Sequence, residues 1–192
     1  QRQMCIRDSM NIQGSWLPYT GCVMAIDPSG KGRDETAYCV TKFANGNIYL
    51  LDIGGFNAGY SEHTLSKLVD IAKKHKVNKI LIEQNFGQGM FEALLKPYLI
   101  KQYPCTTEMV HQQSNKHRRI LDTLEPIISQ HRLIVDKYVV KKDYEETNML
   151  YPQETALRYQ LFYQLSRLQK EVHSLSQDDR IDCLSLIHIS EP

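Results

Sequence analysis

The chain has 192 residues, of which 42% are hydrophobic and 23% charged, and its formal net charge is +1. This length suits one domain with a substantial core, and the near-neutral charge excludes a polycation that binds nucleic acid through bulk charge. No apolar run reaches the ~18 residues of a membrane span and no secretory leader is evident, so we expect no membrane association. The cysteines lack a CxxC spacing, so we expect them to be reduced, in a reducing compartment.

The two ends of the chain differ in character from the rest. Residues 1–9 (QRQMCIRDS) and 184–192 (LSLIHISEP) resemble translated sequencing-adapter sequence, and we interpret them as non-native tails. Residues 10–20 are interpreted as a linker. One domain is therefore expected over residues 21–183.

Three β-rich runs come first and predict an antiparallel meander. A buried strand is predicted over 22–27, and two further strands over 36–43 and 48–53. Asn45-Gly46 supplies the turn chemistry between the second and the third strand. These runs predict three neighbouring strands joined by short turns.

Helices and strands alternate after the meander. The predicted helices cover 61–74, 89–100, 115–129, 154–174 and a last segment that begins at Gln177, and the predicted strands cover 77–83, 106–111 and 133–136. Pro97 is expected to end or kink the second helix. Residues 137–146 are expected to form a short helix or an exposed loop. The whole order predicts an α/β fold with a mixed sheet.

The segment AIDPSGKGRDET, residues 25–36, admits more than one interpretation. A phosphate loop, G-x-x-x-x-G-K-[ST], would need glycine in place of Ala25 and a hydroxyl residue in place of Gly32. Actin-like nucleotide-binding folds also place an Asp after the first strand, but they usually repeat the arrangement in a second half, and this sequence shows no repeat. Asp27 ends an apolar strand, where side chains of functional sites often emerge. A metal-binding carboxylate is the interpretation that remains.

Acidic residues stand at the ends of several predicted elements. Asp27 and Glu83 each follow a strand, Asp179 and Asp182 share one face of the last helix, and Asp178 points roughly 100° away from Asp179. Clustered carboxylates repel one another, and oxygen donors without a His or Cys pattern favour Mg²⁺ or Mn²⁺. Two such ions, about 3.5 to 4 Å apart, activate water and stabilise the leaving oxygen in phosphodiester cleavage.

Four segments carry a family resemblance in the correct order: AIDPSGKGRDETA, LIEQNFGQGMF, KHRRILDTLEP and DDRIDCL. Together they resemble the nuclease domain of tailed-phage DNA-packaging terminase large subunits, of the type found in short-tailed phages with their own RNA polymerase. The resemblance implies an RNase H-like mixed β-sheet, in which a three-strand antiparallel meander joins parallel strands, flanked by helices. It also implies a metal-dependent endonuclease that cuts concatemeric double-stranded DNA during packaging.

The resemblance assigns roles to individual acids. Asp27, Glu83 and Asp182 match the catalytic, metal-binding carboxylates, which implies two Mg²⁺ or Mn²⁺ ions. Asp179 is expected to be a further metal ligand or a supporting group. The residues alone leave three roles open for Glu35, in the loop after Asp27: it orients a metal-bound water, it is solvated, or it caps a turn.

Basic residues near the motifs are candidate DNA contacts. Lys116, Arg118 and Arg119 open a predicted helix, where their positive charge opposes the helix dipole, and this cost suggests a phosphate partner. Lys31 and Arg33 lie in the loop after Asp27 and are expected to meet a phosphate or solvent.

The resemblance further implies partners and alternatives. An ATPase domain is expected upstream in the full-length protein, with a terminase small subunit and a portal as partners, in the host bacterial cytoplasm during phage assembly. The isolated domain is expected to be a monomer. A RuvC-like resolvase of branched DNA and a non-catalytic DNA-binding or docking module on the same fold remain alternatives, although carboxylates that face phosphates do not help a pure DNA binder.

Overall fold

The computed structural model describes residues 21–29, 34–84, 89–111, 115–169 and 175–186. The strands in these ranges are β1 (Gly21–Asp27), β2 (Thr36–Ala44), β3 (Asn47–Phe56), β4 (Lys79–Glu83), β5 (Thr106–Val110) and β6 (Leu133–Val135). The helices are α1 (Glu62–His75), α2 (Met90–Gln102), α3 (Lys116–Ser129), α4 (Lys137–Leu150), α5 (Gln153–Tyr159), α6 (Leu161–Arg167) and α7 (Asp179–Ser185). The predicted N-terminal tail and linker and most of the C-terminal tail lie outside the described residues.

The strands form one mixed sheet in the order β5-β4-β1-β2-β3-β6. β1, β2 and β3 pair in an antiparallel meander, whereas β4 runs parallel to β1, β5 parallel to β4, and β6 parallel to β3. This topology confirms the predicted α/β architecture. Because β1 and β4 are parallel neighbours, their carboxyl ends meet at one edge of the sheet.

Alternation along the strands decides which side chains reach which layer of helices. Ile26 packs in the core that contains α1 and α2, whereas Ala25 on β1 and Leu81 on β4 pack in the opposite core, with α3, α4, α6 and α7. Asp27 stands two residues after Ala25, and Glu83 two residues after Leu81. Both acids therefore point into the layer that contains α7.

The early helices largely follow the sequence prediction. Ser61 caps α1, and its side chain accepts a hydrogen bond from the backbone N–H of Thr64 at 3.2 Å. Pro97 lies inside α2, which continues to Gln102, so the expectation that Pro97 ends this helix is wrong. Leu95 and Leu99, on either side of the proline, are buried against the core, and tertiary packing of this kind can outweigh the cost of a proline within a helix. No helix in the described part of the chain is long and apolar enough to cross a membrane.

The prediction of a single long helix over 154–174 is wrong. The chain forms two short helices, α5 and α6, which are separated by extended backbone at Gln160 (φ −73°, ψ 126°). Leu161 and Leu165 are buried, but Leu157 is 48% exposed, so the expected leucine stripe is interrupted. The break allows Gln164 of α6 to accept a hydrogen bond from a backbone N–H of α7 at 3.0 Å.

Alanine substitutions on either side of this break should differ in their effect on stability. Leu161→Ala should lower the free energy of unfolding by about 2–5 kcal/mol, because the side chain is fully buried. Leu157→Ala should change it by no more than about 0.5 kcal/mol, because its side chain lies half in solvent. Urea denaturation of both variants measures the difference, and equal losses would indicate one continuous helix instead.

Candidate metal centre

Three carboxylates from three elements meet at the carboxyl edge of the central strands. Asp27 ends β1, Glu83 ends β4, and Asp182 lies in α7. One oxygen atom of each carboxylate lies within 4.8 Å of the other two, and all three residues are buried. The structure thus brings together the three acids that the sequence analysis assigns as catalytic.

Helix α7 brings Asp182 to this edge by packing against β1 and β2. Ile181 and Leu184 belong to the core, and the thiol of Cys183 donates to the backbone carbonyl of Ala25 at 3.2 Å. Since Ala25 stands two residues before Asp27 on β1, this contact fixes the part of α7 next to Asp182 against the strand that carries Asp27.

Asp179 lies next to this group but is not one of the three closest acids. Its Oδ2 accepts a hydrogen bond from the backbone N–H of Glu35 at 3.5 Å. Burial raises the pKa of Asp179 to about 7, although the nearby charge of Lys116 lowers it. Its assignment as a metal ligand therefore stays a prediction.

The three central acids disfavour negative charge on one another. Burial raises the pKa of Asp27 well above its ordinary value, and the charges of Glu83 and Asp182 raise it further. Burial and the charge of Asp182 likewise raise the pKa of Glu83. The centre consequently favours a proton or another positive charge beside the carboxylates.

Two side chains of α3 supply positive charge to this centre. Lys116 Nζ lies 2.9 Å from Asp178 Oδ1 and 3.0 Å from Asp182 Oδ2. Arg119 Nη2 donates to Glu83 Oε1 at 3.2 Å and also to Asp182 Oδ1. The dipole argument predicted a phosphate partner for these residues, but carboxylates of the same chain already offset their charge at the start of the helix.

The other predicted DNA contacts lie elsewhere. Arg118 has a side chain that is 83% exposed, and its Nε lies 3.4 Å from Asp122 Oδ2 one turn along α3. Lys31 and Arg33 lie outside the described residues. Among the predicted DNA contacts that lie within the described residues, only Lys116 and Arg119 contact the three central acids.

A buried ion-pair network centred on Arg180 of α7 is absent from the sequence prediction. Arg180 is fully buried, and its Nε and Nη2 donate to the two oxygens of Glu35 at 2.6 and 3.1 Å, while Nη1 donates to Asp143 Oδ1 at 2.6 Å. Glu35 is thus buried in an ion pair and is not solvated. A side-chain Cβ at Gly55 would lie 1.9 Å from Glu35 Oε2, so the glycine at this position inside β3 is a sequence signal of the close approach.

The donor set of the three central acids suits a hard divalent cation. Bonds of about 2.0–2.1 Å place two oxygen ligands of Mg²⁺ no more than about 4.2 Å apart. Small side-chain rotations bring oxygens that already lie within 4.8 Å of one another to that separation. Asp27, Glu83 and Asp182 therefore fit Mg²⁺ or Mn²⁺.

Solved structures show which class of protein shares this fold. The human cytomegalovirus terminase nuclease domain, Mn soaked and inhibitor bound, aligns with a TM-score of 0.61 at 10% identity, over 89% of this chain and 83% of that chain. A mutant nuclease domain of the large terminase subunit gp2 of bacterial virus Sf6, with manganese and β-thujaplicinol, aligns with a TM-score of 0.57 at 12% identity, over 89% of each chain. The large terminase of a thermophilic bacteriophage, in complex with ADP, aligns with a TM-score of 0.53 at 12% identity, over 90% of this chain and 40% of that chain. The fold is therefore that of terminase nuclease domains.

The family follows from the sequence. Residues 26–133 match the family described as Terminase Bacteriophage T7, Ribonuclease H-like domain, and the chain belongs to this family. The terminase large subunit of Enterobacteria phage T3 is 41% identical over 168 residues, which cover 88% of this chain. The chain spans 28% of the length of that relative.

Replacing Asp27 with Asn should separate the stability of the centre from its affinity for metal. Folding raises the pKa of Asp27, so the wild type loses stability as the pH rises above about 4, the pKa of an Asp in the unfolded chain. An Asn at this position does not titrate, so the variant does not lose stability in this way. Without divalent metal, the variant should therefore equal or exceed the wild type in melting temperature at pH 8, and lose this advantage near pH 4. Mn²⁺ should raise the melting temperature of the wild type only.

Thermal unfolding at several pH values, with and without MnCl₂, measures both effects. Equal stabilisation of the two proteins by Mn²⁺ would show that Asp27 does not bind the metal.

Proposed function

We propose that this domain is the metal-dependent endonuclease of a viral terminase large subunit and that it cleaves concatemeric double-stranded DNA during genome packaging. The convergence of Asp27, Glu83 and Asp182 within 4.8 Å carries the proposal. Membership of the terminase RNase H-like family supports it, as does the shared fold of nuclease domains described with manganese.

We propose that the centre takes two Mg²⁺ or Mn²⁺ ions, with Asp27, Glu83 and Asp182 as ligands and Asp179 as a fourth. Ions of this kind, when bound, activate water and stabilise the leaving oxygen of a phosphodiester. The chain itself confines the carboxylates in a mostly dry site, since Asp27 is 6% exposed and Asp182 is 1% exposed. A dry site strengthens every charge interaction with a phosphate that enters it.

The cations of α3 are suited to hold the DNA backbone beside these acids. Arg119 uses Nη2 for both Glu83 and Asp182, and its buried Nε has no hydrogen-bond partner within the described residues. A phosphate oxygen is an acceptor that would satisfy this donor. The side chain of Lys116 is 41% exposed, so its ammonium group can exchange a carboxylate for a phosphate.

Further contacts would position the duplex without reading its sequence. We propose that Arg118 meets a phosphate on the open side of α3 and that Lys31 and Arg33 do so from the loop after Asp27. Sequence preference should be slight, because contacts to the sugar-phosphate backbone orient DNA but do not specify bases.

We propose that this domain works downstream of an ATPase domain, with a terminase small subunit and a portal as partners, in the host bacterial cytoplasm during phage assembly. The T3 relative is a terminase large subunit of which the chain spans only 28%, and the solved large terminase of the thermophilic bacteriophage was described in complex with ADP. In isolation we expect a monomer.

Cleavage of plasmid DNA tests the enzyme directly. The purified domain should cut with Mg²⁺ or Mn²⁺ and not with EDTA. Asp27→Asn, Glu83→Gln and Asp182→Asn should each lower the rate at least about 100-fold, because even a supporting group at a metal site is worth 10–100-fold. Asp122→Asn makes the same chemical change on a side chain of α3 that is 70% exposed, and it should cut like the wild type.

Circular dichroism should show that each variant is folded. Unchanged cleavage by folded variants of all three acids would contradict the assignment, and a clear preference for four-way junctions over linear duplex would favour the resolvase alternative.

The salt dependence of DNA binding tests the basic residues separately. Arg118→Gln should lower the slope of log K against log salt by about 1, with or without a divalent cation, because an exposed phosphate contact is lost. Lys116→Gln should lower it only when Ca²⁺ is present, because without a cation Lys116 is held by Asp178 and Asp182. Fluorescence anisotropy with a short duplex measures both slopes. A slope that neither substitution changes would exclude these residues as phosphate contacts.

A further inference from the structure

We propose that Arg180 is a positioning residue: by bonding Glu35 and Asp143, it sets the rotation of α7 about its axis and thereby the metal affinity of the centre. This inference rests on the proposed function, because the centre in question is that of the proposed nuclease. Arg180 donates to Glu35 and Asp143, and neither of these carboxylates is a candidate metal ligand.

Helix α7 needs such a contact because it is short. It has seven residues, and the residue at its N-cap, Asp178, makes no side-chain capping hydrogen bond. Isolated helices of this length are unstable in water, so tertiary contacts must set its position. The buried side chains of Ile181 and Leu184 attach it to the core, but apolar packing alone tolerates alternative arrangements.

The guanidinium of Arg180 adds the strongest directional contacts to those that Gln164 and Ala25 make with the backbone N–H of Ile181 and the thiol of Cys183. Glu35, directly before β2, accepts from Nε and Nη2 in a bidentate pair, and Asp143 of α4 accepts from Nη1. A planar group held through three nitrogens has a defined orientation. Because Arg180 stands between Asp179 and Asp182 in α7, fixing its side chain also fixes the direction in which both acids point.

The two acceptors are themselves held in place. The hydroxyl of Tyr151 donates to Glu35 Oε2 at 2.9 Å, and the ring of Tyr151 stacks on Tyr159 with 3.7 Å between centroids. The backbone N–H of Phe162 donates to Asp143 Oδ2 at 3.4 Å. The network thus connects α7 to the start of β2, to α4 and to the segment that contains α5 and α6.

Stability alone does not explain this network. Burying an arginine with two carboxylates removes three charges from water, and apolar residues of similar volume often serve stability equally well. A buried polar network is instead useful where one arrangement must be selected over similar ones. The arrangement selected here is the one that directs Asp182 at Asp27 and Glu83.

Arg180→Lys tests the inference because lysine keeps the charge but loses the planar fork. Calorimetric titration of the full chain with MnCl₂, without DNA, should show binding weaker by about 10–100-fold, the usual effect of removing a group that supports a metal site. Cleavage by this variant should recover at high Mn²⁺, since affinity is what it lost, whereas Asp27→Asn should not recover.

His75→Gln is the control for the loss of a hydrogen-bond partner of a buried carboxylate elsewhere in the fold. His75 Nε2 lies 2.8 Å from the buried Asp52 Oδ2, at the end of α1 in the other helix layer. This substitution should lower the melting temperature and leave the affinity for Mn²⁺ unchanged. A loss of affinity in this control equal to that of Arg180→Lys would overturn the inference, because general destabilisation would then explain both.

Three further outcomes decide the matter. A folded Arg180→Lys protein that binds Mn²⁺ like the wild type would overturn the role of Arg180 and leave the proposed function intact. Should Arg180→Lys not fold, Tyr151→Phe removes only the hydroxyl that donates to Glu35; weaker Mn²⁺ binding supports the inference, and unchanged binding overturns it. A wild type that binds no Mn²⁺ would overturn the proposed function and the inference together.

Discussion

The close approach of three buried carboxylates is the constraint on which the rest of this structure depends. Asp27, Glu83 and Asp182 repel one another, and burial removes the water that would otherwise screen them. Nothing in the acids themselves holds them together, so the scaffold must do so. Two strands with paired backbones provide two of the carboxylates rigidly, and a short helix brings the third.

Positive charge near the centre is arranged in two ways that differ in freedom. Lys116 and Arg119 contact the acids, and the side chain of Lys116 is 41% exposed, so we expect it to exchange a carboxylate for a phosphate, or to leave when another cation binds. Arg180 is fully buried and bonded through three nitrogens to Glu35 and Asp143, so it cannot. Lys116 suits exchange with ligands, and Arg180 suits fixing the helix that holds Asp182.

The sequence predicted the sheet well and the helical segment over 154–174 poorly, for a physical reason. Strands β1 to β4 bury nearly continuous or alternating apolar runs, and turn residues such as Asn45-Gly46 mark their boundaries locally. The apolar spacing over 154–174 also favours one helix, yet the backbone breaks at Gln160 because Gln164 and Leu161 then meet α7 and the core. The spacing of apolar residues within one segment carries no information about the contacts that this segment makes with a distant part of the chain.

The sequence by itself determined that Asp27 and Glu83 each stand at the end of an apolar strand, and the family resemblance implied that both belong to one metal site. The apolar runs before the two acids suffice for the first conclusion. The parallel pairing of β4 beside β1 then places both acids at one edge of the sheet. Only the tertiary structure decided that Lys116 and Arg119 contact the acids and that Arg180 pairs with Glu35, because these partners lie 36 to 145 residues apart in the chain. Ion pairs at such separations depend on how helices pack on the sheet, and no local pattern encodes that packing.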